Sequence, residues 1–200
     1  DENAEILQKI DEIIKSNYIF LSKLMNKGEL SQIGDNDSGR LFYSTYDEDS
    51  PLKMNWLFEI IKNLYEKSEF YQEEKKFTHE IKSKIPSLDN FQQVTHKKIK
   101  LFTKDYEFYS FKDFGIYIWR NDNEYFSIRC GPVGQNGIGG HSHYDQLSIE
   151  CFTGNSWIAR DPGTGTYTDD IETRNKFRSL EYHWGPNLSL IHISEPTRPL

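Results

Sequence analysis

Between residues 4 and 27, apolar side chains recur at Ile6, Leu7, Ile10, Ile13, Ile14, Leu21, Leu24 and Met25. Spacings of three and four predict an amphipathic helix, and Gly28 is its natural stop. Trp56, Leu57, Ile60, Ile61, Leu64 and Tyr65 form a second such face, which predicts a helix over 53–71 with Pro51 just before it. The intervening SQIGDNDSGR, residues 31–40, has no period and many turn formers, so it reads as a loop. Residues 72–100 are charged, weakly periodic and interrupted by Pro86, the pattern of a connector with room for a short helix.

Beyond residue 100 the period changes. Phe108–Phe111 and Gly115–Trp119 read as strands, Asn121-Asp122-Asn123 as a turn, and Tyr125–Cys130 as the returning strand. Glycine-rich residues 131–140 form a loop. Leu147–Phe152 and Ser156–Ala159 predict a second hairpin around Gly154-Asn155, followed by a Gly- and Thr-rich turn over 161–168. Helices come first and short antiparallel strands follow, which predicts an α+β chain of two units divided near residue 100.

Composition narrows the function classes without naming one. The chain has 200 residues, 36% hydrophobic and 28% charged, enough apolar content for a core. Its formal charge is -7 and it has no basic block, which argues against a nucleic-acid partner. No stretch is long and apolar enough for a membrane span. No basic-then-apolar leader is visible, which says little about the compartment. Cys130 and Cys151 are the only cysteines, too few for a disulfide scaffold, and either suits a small buried core position or a single bridge.

Chemistry concentrates in residues 137–167, GIGGHSHYDQLSIECFTGNSWIARDPGTGTY. His141 and His143 form an H-x-H pair whose side chains share one side of an extended segment. They could share a metal, or one could bind metal while the other faces substrate. A hairpin would return Asp161 to their neighbourhood, and His183 follows after a polar stretch. Two histidines and a carboxylate are ordinary zinc donors, while the plainer reading makes them turn residues after a glycine-rich loop. Asp145 suits orienting an imidazole or capping a turn. The loop with Asp35 and Asp37 lacks the remaining ligands of a standard calcium loop, and reads as a structured junction in which Asp37 or Arg40 bridges the two units.

HSHYDQLS, DPGTGTY, RNKFRS and His183 follow one another in this order. Together they resemble the C-terminal signature of the heparinase II/III-like family of polysaccharide lyases, and SQIGDNDSGR is similar to the motif ending that family's helical toroid. The resemblance covers roughly residues 30–187. It implies an α+β fragment: the end of an α/α toroid followed by an antiparallel β-sandwich, truncated. The expected boundaries are toroid helices over 1–75, a connector over 76–100 and a partial sandwich over 101–187. Residues 188–199 look like translated sequencing adapter, so 188–200 is expected to be a non-native tail.

Carried over position by position, the resemblance makes His143, Asp161 and His183 the ligands of a structural Zn(2+) and places His141 in the active-site cleft. It implies an acidic polysaccharide as partner, a bacterial source and a periplasmic or secreted location. β-Elimination at a uronic acid needs a base at C5, an acid at the C4 oxygen and neutralisation of the carboxylate. His141 suits the carboxylate contact or the acid–base work, and Arg174 suits a bidentate contact with the substrate carboxylate or a salt bridge to Asp169, Asp170 or another carboxylate. Arg178 has the same choice, with a structural role favoured. The family's other catalytic residues lie on the toroid, so the chain alone is expected to be inactive. The alternative is a non-catalytic carbohydrate-binding or scaffolding β-sandwich with a structural zinc. A third reading, an unrelated zinc hydrolase, needs a general base at the metal, for which Glu150 is the candidate.

Overall fold

The computed structural model describes residues 2–36, 52–65, 94–101, 103–134, 137–167 and 169–186. Helix α1 spans Glu2–Leu24. It ends before the expected position because Met25–Asn26 (β1) turns back on Glu29–Leu30 (β2). Lys27 and Gly28 both have positive φ, 51° and 86°, the geometry of a two-residue hairpin turn. Gly28 thus closes a hairpin rather than a helix. Arg120 reaches across to the exposed carbonyls at the helix end, donating to Ser22, Lys23 and Met25 oxygens at 3.1, 3.3 and 3.0 Å.

Helix α2, Asn55–Tyr65, falls inside the expected 53–71, with residues beyond 65 outside the described set. It packs on α1 through Tyr18 and Phe58, whose ring centroids lie 5.0 Å apart. The expected apolar faces are only partly used. Ile61 is buried, yet Trp56 and Ile60 are exposed, as are Ile6, Leu7, Ile10 and Ile13 on α1. Among the described residues no helix is long and apolar enough to cross a membrane.

Six strands form one antiparallel sheet in simple sequence order: β3 Val94–Leu101, β4 Lys104–Phe111, β5 Ile116–Arg120, β6 Tyr125–Arg129, β7 Ile149–Thr153 and β8 Ser156–Ala159. The sheet therefore begins at Val94, inside the stretch read as a connector over 76–100. Lys97, Lys98 and Lys100 hid this strand from a hydrophobicity reading, although lysines suit a strand that, among the described residues, pairs on one side only. The β7–β8 turn has Gly154 and Asn155 at φ 60° and 65°, as the sequence predicted.

One face of the sheet carries the core. Tyr109, Phe111, Ile116, Ile118, Tyr125 and Phe152 gather there with Leu24, and Phe20, Leu30 and Ile33 pack against them. Cross-strand register explains the grouping: Tyr109 opposes Ile118, and Tyr125 opposes Phe152. The opposite face bears Phe108, Trp119, Phe126 and Cys151 in one cross-strand row, all half-buried. The sheet and helices are consistent with part of a β-sandwich. Cys130 and Cys151 are both free thiols. After β8 come helix α3, Ile171–Arg178, and a 3-10 turn, Leu180–Tyr182, neither of which the hydrophobic pattern predicted.

Candidate metal centre and cleft histidine

Three loops at one end of the sheet converge here. The first, between β6 and β7, carries His141 and His143. It is irregular rather than a strand, and α3 holds its backbone. Tyr144 N–H donates to the Arg178 carbonyl at 2.9 Å and Arg178 Nε to the Ser142 carbonyl at 3.1 Å. The Arg178 guanidinium is thus a brace.

The second loop follows β8. The Asp161 Oδ1 atom accepts from Gly163 N–H at 2.9 Å, which closes the Asp-Pro-Gly turn and fixes the carboxylate. The third loop is the segment after the 3-10 turn, where Ile149 N–H donates to the Trp184 carbonyl at 3.1 Å and pins His183 beside β7. Helix α3 leads into it, started by Asp170, whose carboxylate accepts from Glu172 and Thr173 N–H.

His143, Asp161 and His183 meet with one donor atom from each within 4.8 Å of the others. Both imidazole side chains are fully buried, 0% exposed, and Asp161 is 3% exposed. The chemistry of the two rings is informative. His183 Nδ1 lies 2.7 Å from the Ser179 carbonyl, which can only accept, so Nδ1 carries the hydrogen. Its Nε2 then faces Asp161 Oδ2 at 3.0 Å without hydrogen-bond alignment. On His143, Nε2 contacts Asp35 Oδ1 at 3.0 Å while the buried Nδ1 has no partner. Each ring thus has one nitrogen anchored by an outer acceptor and one left over, as in histidines that ligate metal.

Burial works against a charged His183, but the Asp161 carboxylate and the Ser179 carbonyl outweigh it and raise its pKa. A cation shared between Nε2 and the carboxylate would resolve the same contact. Two neutral imidazoles and one carboxylate fit zinc. Cys130 is exposed beside the glycine-rich loop and belongs to no such group among the described residues.

The sequence singled out Asp35 only with Asp37, as a carboxylate of a calcium-like loop that lacks the remaining ligands. The Asp35 carboxylate, 1% exposed, lies at the centre of the second half of the site. Oδ2 accepts from Arg174 Nη2 at 2.7 Å and meets His141 Nδ1 at 3.2 Å, while Oδ1 holds His143. Burial would raise its pKa, but the His143 and His141 hydrogen bonds and the Arg174 charge overcome this and keep it low. Arg174 therefore pairs with Asp35, not with Asp169 or Asp170, and its Nη1 donates to the Tyr167 carbonyl at 2.8 Å.

His141, 54% exposed, is the open member. Tyr167 Oη lies 2.5 Å from its Nδ1, a pairing that the Asp-Pro-Gly-x-x-x-Tyr spacing contained but that was not read as a site. Asp145 is buried, which raises its pKa, with Arg129 opposing and the Asp161 charge adding to the rise. Asp37 and Arg40 lie outside the described residues.

Residues 103–183 match the family described as Heparinase II/III-like, C-terminal. No curated protein and no solved structure matches the chain. The matched stretch runs from just before β4 to His183, so His143, Asp161, His183, His141, Tyr167 and Arg174 fall within it. Asp35 lies outside it. The match supports a polysaccharide-lyase-related fold for this region.

Proposed function

We propose that this chain is the sandwich portion of a polysaccharide-lyase-related protein, in which His143, Asp161 and His183 hold a structural zinc that sets the loops of a glycan-facing surface. The observation that carries this reading is the gathering of donor atoms from His143, Asp161 and His183 within 4.8 Å, with His143 Nδ1 buried without a partner and His183 Nε2 3.0 Å from Asp161 Oδ2. Zinc, when bound, would supply charge compensation and tie three loops together. His143 and His183 would bind through nitrogens left free by Asp35 and Ser179, and Asp161 would balance the charge. The half-buried aromatic row on the second face of the sheet suits a sandwich.

A finer reading rests on a second observation, the exposed His141 hydrogen-bonded to Tyr167. In the parent protein, carrying toroid helices upstream, these two groups suit β-elimination on a uronic-acid-containing acidic polysaccharide. His141 would contact the sugar carboxylate or carry a proton, with Tyr167 fixing the ring. A periplasmic or secreted location belongs to this reading.

Elemental analysis of the purified chain tests the first reading. One zinc per chain, lost in both His143→Ala and Asp161→Ala, is expected. A folded wild-type chain without zinc would remove the metal centre. The finer reading is tested on the parent protein by the ultraviolet absorbance of an unsaturated uronate product.

A further inference from the structure

The metal trio lies within the matched region, yet one of its rings is oriented from outside it. The segment over residues 31–36 crosses from β2 onto the site loops and is fastened at each step. Gln32 N–H donates to Glu150 Oε1 at 3.2 Å, Asp35 N–H to the His141 carbonyl at 2.9 Å, and Asn36 N–H to Thr164 Oγ1 at 2.7 Å. Thr164 Oγ1 returns a hydrogen bond to the Asn36 carbonyl at 3.0 Å. Gly34 is at φ +63°, and a Cβ there would stand 2.5 Å from the His141 carbonyl oxygen, so the segment approaches as closely as a backbone can.

We infer that Asp35 is a positioning residue of the metal centre, fixing which nitrogen of His143 carries the hydrogen and which is left to ligate, and tying that choice to His141 and Arg174. The inference rests on the metal reading above. An ionised carboxylate only accepts hydrogen bonds, so the His143 Nε2 atom that meets Oδ1 carries the hydrogen. Nδ1 is then the lone-pair atom, and it is the one left buried without a partner. The other oxygen, Oδ2, serves Arg174 and His141, so one side chain orients the buried imidazole and the exposed one together. Without Asp35, His143 Nε2 loses the carboxylate acceptor that selects its tautomer, and only packing is left to hold the ring. Arg174 would lose its buried counter-ion in the same step, which separates this role from simple packing.

Two measurements test this on the full chain. Long-range proton–nitrogen correlation spectra of the metal-free protein report which nitrogen of His143 is protonated, with no variant needed. Nε2–H is expected, and Nδ1–H would overturn the assignment. Zinc titration against a competing chelator then compares wild type, Asp35→Asn and Asp35→Ala. Outer hydrogen-bond partners of ligating histidines typically contribute about 10- to 100-fold in affinity, so that loss is expected for Asp35→Ala. Partial recovery is expected for Asp35→Asn, whose amide oxygen still accepts from Nε2–H. Wild-type affinity in Asp35→Ala would overturn the role of Asp35 and leave the metal reading intact. A wild-type chain that takes no zinc would overturn the metal reading, and the role of Asp35 with it.

Discussion

The sheet is built by opposite means in its middle and at its loop end. In the middle, Phe111, Ile116, Ile118 and Tyr125 are at most 1% exposed and pack with Leu24 and Phe20 of α1, so the contacts are mainly apolar. At the loop end the side chains of His143, Asp161 and His183 are also buried, but they are polar: His143 Nδ1 has no partner, and His183 Nε2 meets only Asp161 Oδ2, without hydrogen-bond alignment. The first region is complete as a packed solid. The second is complete only as a binding site, because a buried imidazole nitrogen without a partner, His143 Nδ1, carries a desolvation cost that a ligand would remove. Stability should therefore divide into a part insensitive to metal and a part that metal supplies.

The largest effect belongs to the packed region. Phe111→Ala should lower unfolding free energy by about 3–5 kcal/mol, since a large side chain leaves a cavity. Chemical denaturation should show the same loss with zinc and with a chelator. A loss present only with zinc would break the division. At the loop end, zinc at a hundredfold excess over its dissociation constant should stabilise wild type by about 2.7 kcal/mol. His143→Ala should abolish that gain, as read by thermal unfolding with and without the metal.

Glu150 sharpens the comparison because it sits between the regions, on β7. Burial pushes its carboxyl up to about 7 from an ordinary 4.5, with Ser31 and Gln32 hydrogen bonds opposing. The folded state thus holds this proton longer than the unfolded chain. The contribution is complete below pH 4.5 and is lost as pH rises to about 7. In metal-free protein, Glu150→Gln should flatten that fall and add on the order of 2 kcal/mol at pH 8. Denaturation across pH reads it directly, and an unchanged slope would place Glu150 in a wetter site. The smallest effect is expected at Ile13, 51% exposed on α1, where Ile13→Gln should change stability by no more than about 0.5 kcal/mol.

The same contrast explains what the sequence made legible. Strands β4 to β8 were readable because their apolar residues alternate with turn signals at Asn121–Asn123 and Gly154-Asn155. Strand β3 was not, because lysine occupies three of its positions and its pairing with β4 is a tertiary fact. Helix α3 carries no buried residue, so no apolar stripe announced it. His143, Asp161 and His183 were legible through motif order and do converge. The role of Asp35 was hidden because its partners are far along the chain, and its pairing with Asp37 in a turn-rich loop prompted only a comparison with calcium loops. Tyr167 was likewise hidden in a turn motif.

The central claim is that two imidazoles and one carboxylate hold a zinc ion. X-ray absorption at the zinc edge of the zinc-loaded chain addresses it most directly. The account predicts a shell of nitrogen and oxygen neighbours at about 2.0–2.1 Å, with imidazole outer-shell scattering and no sulfur. A sulfur shell at about 2.3 Å would assign the metal to Cys130 or Cys151 and contradict it.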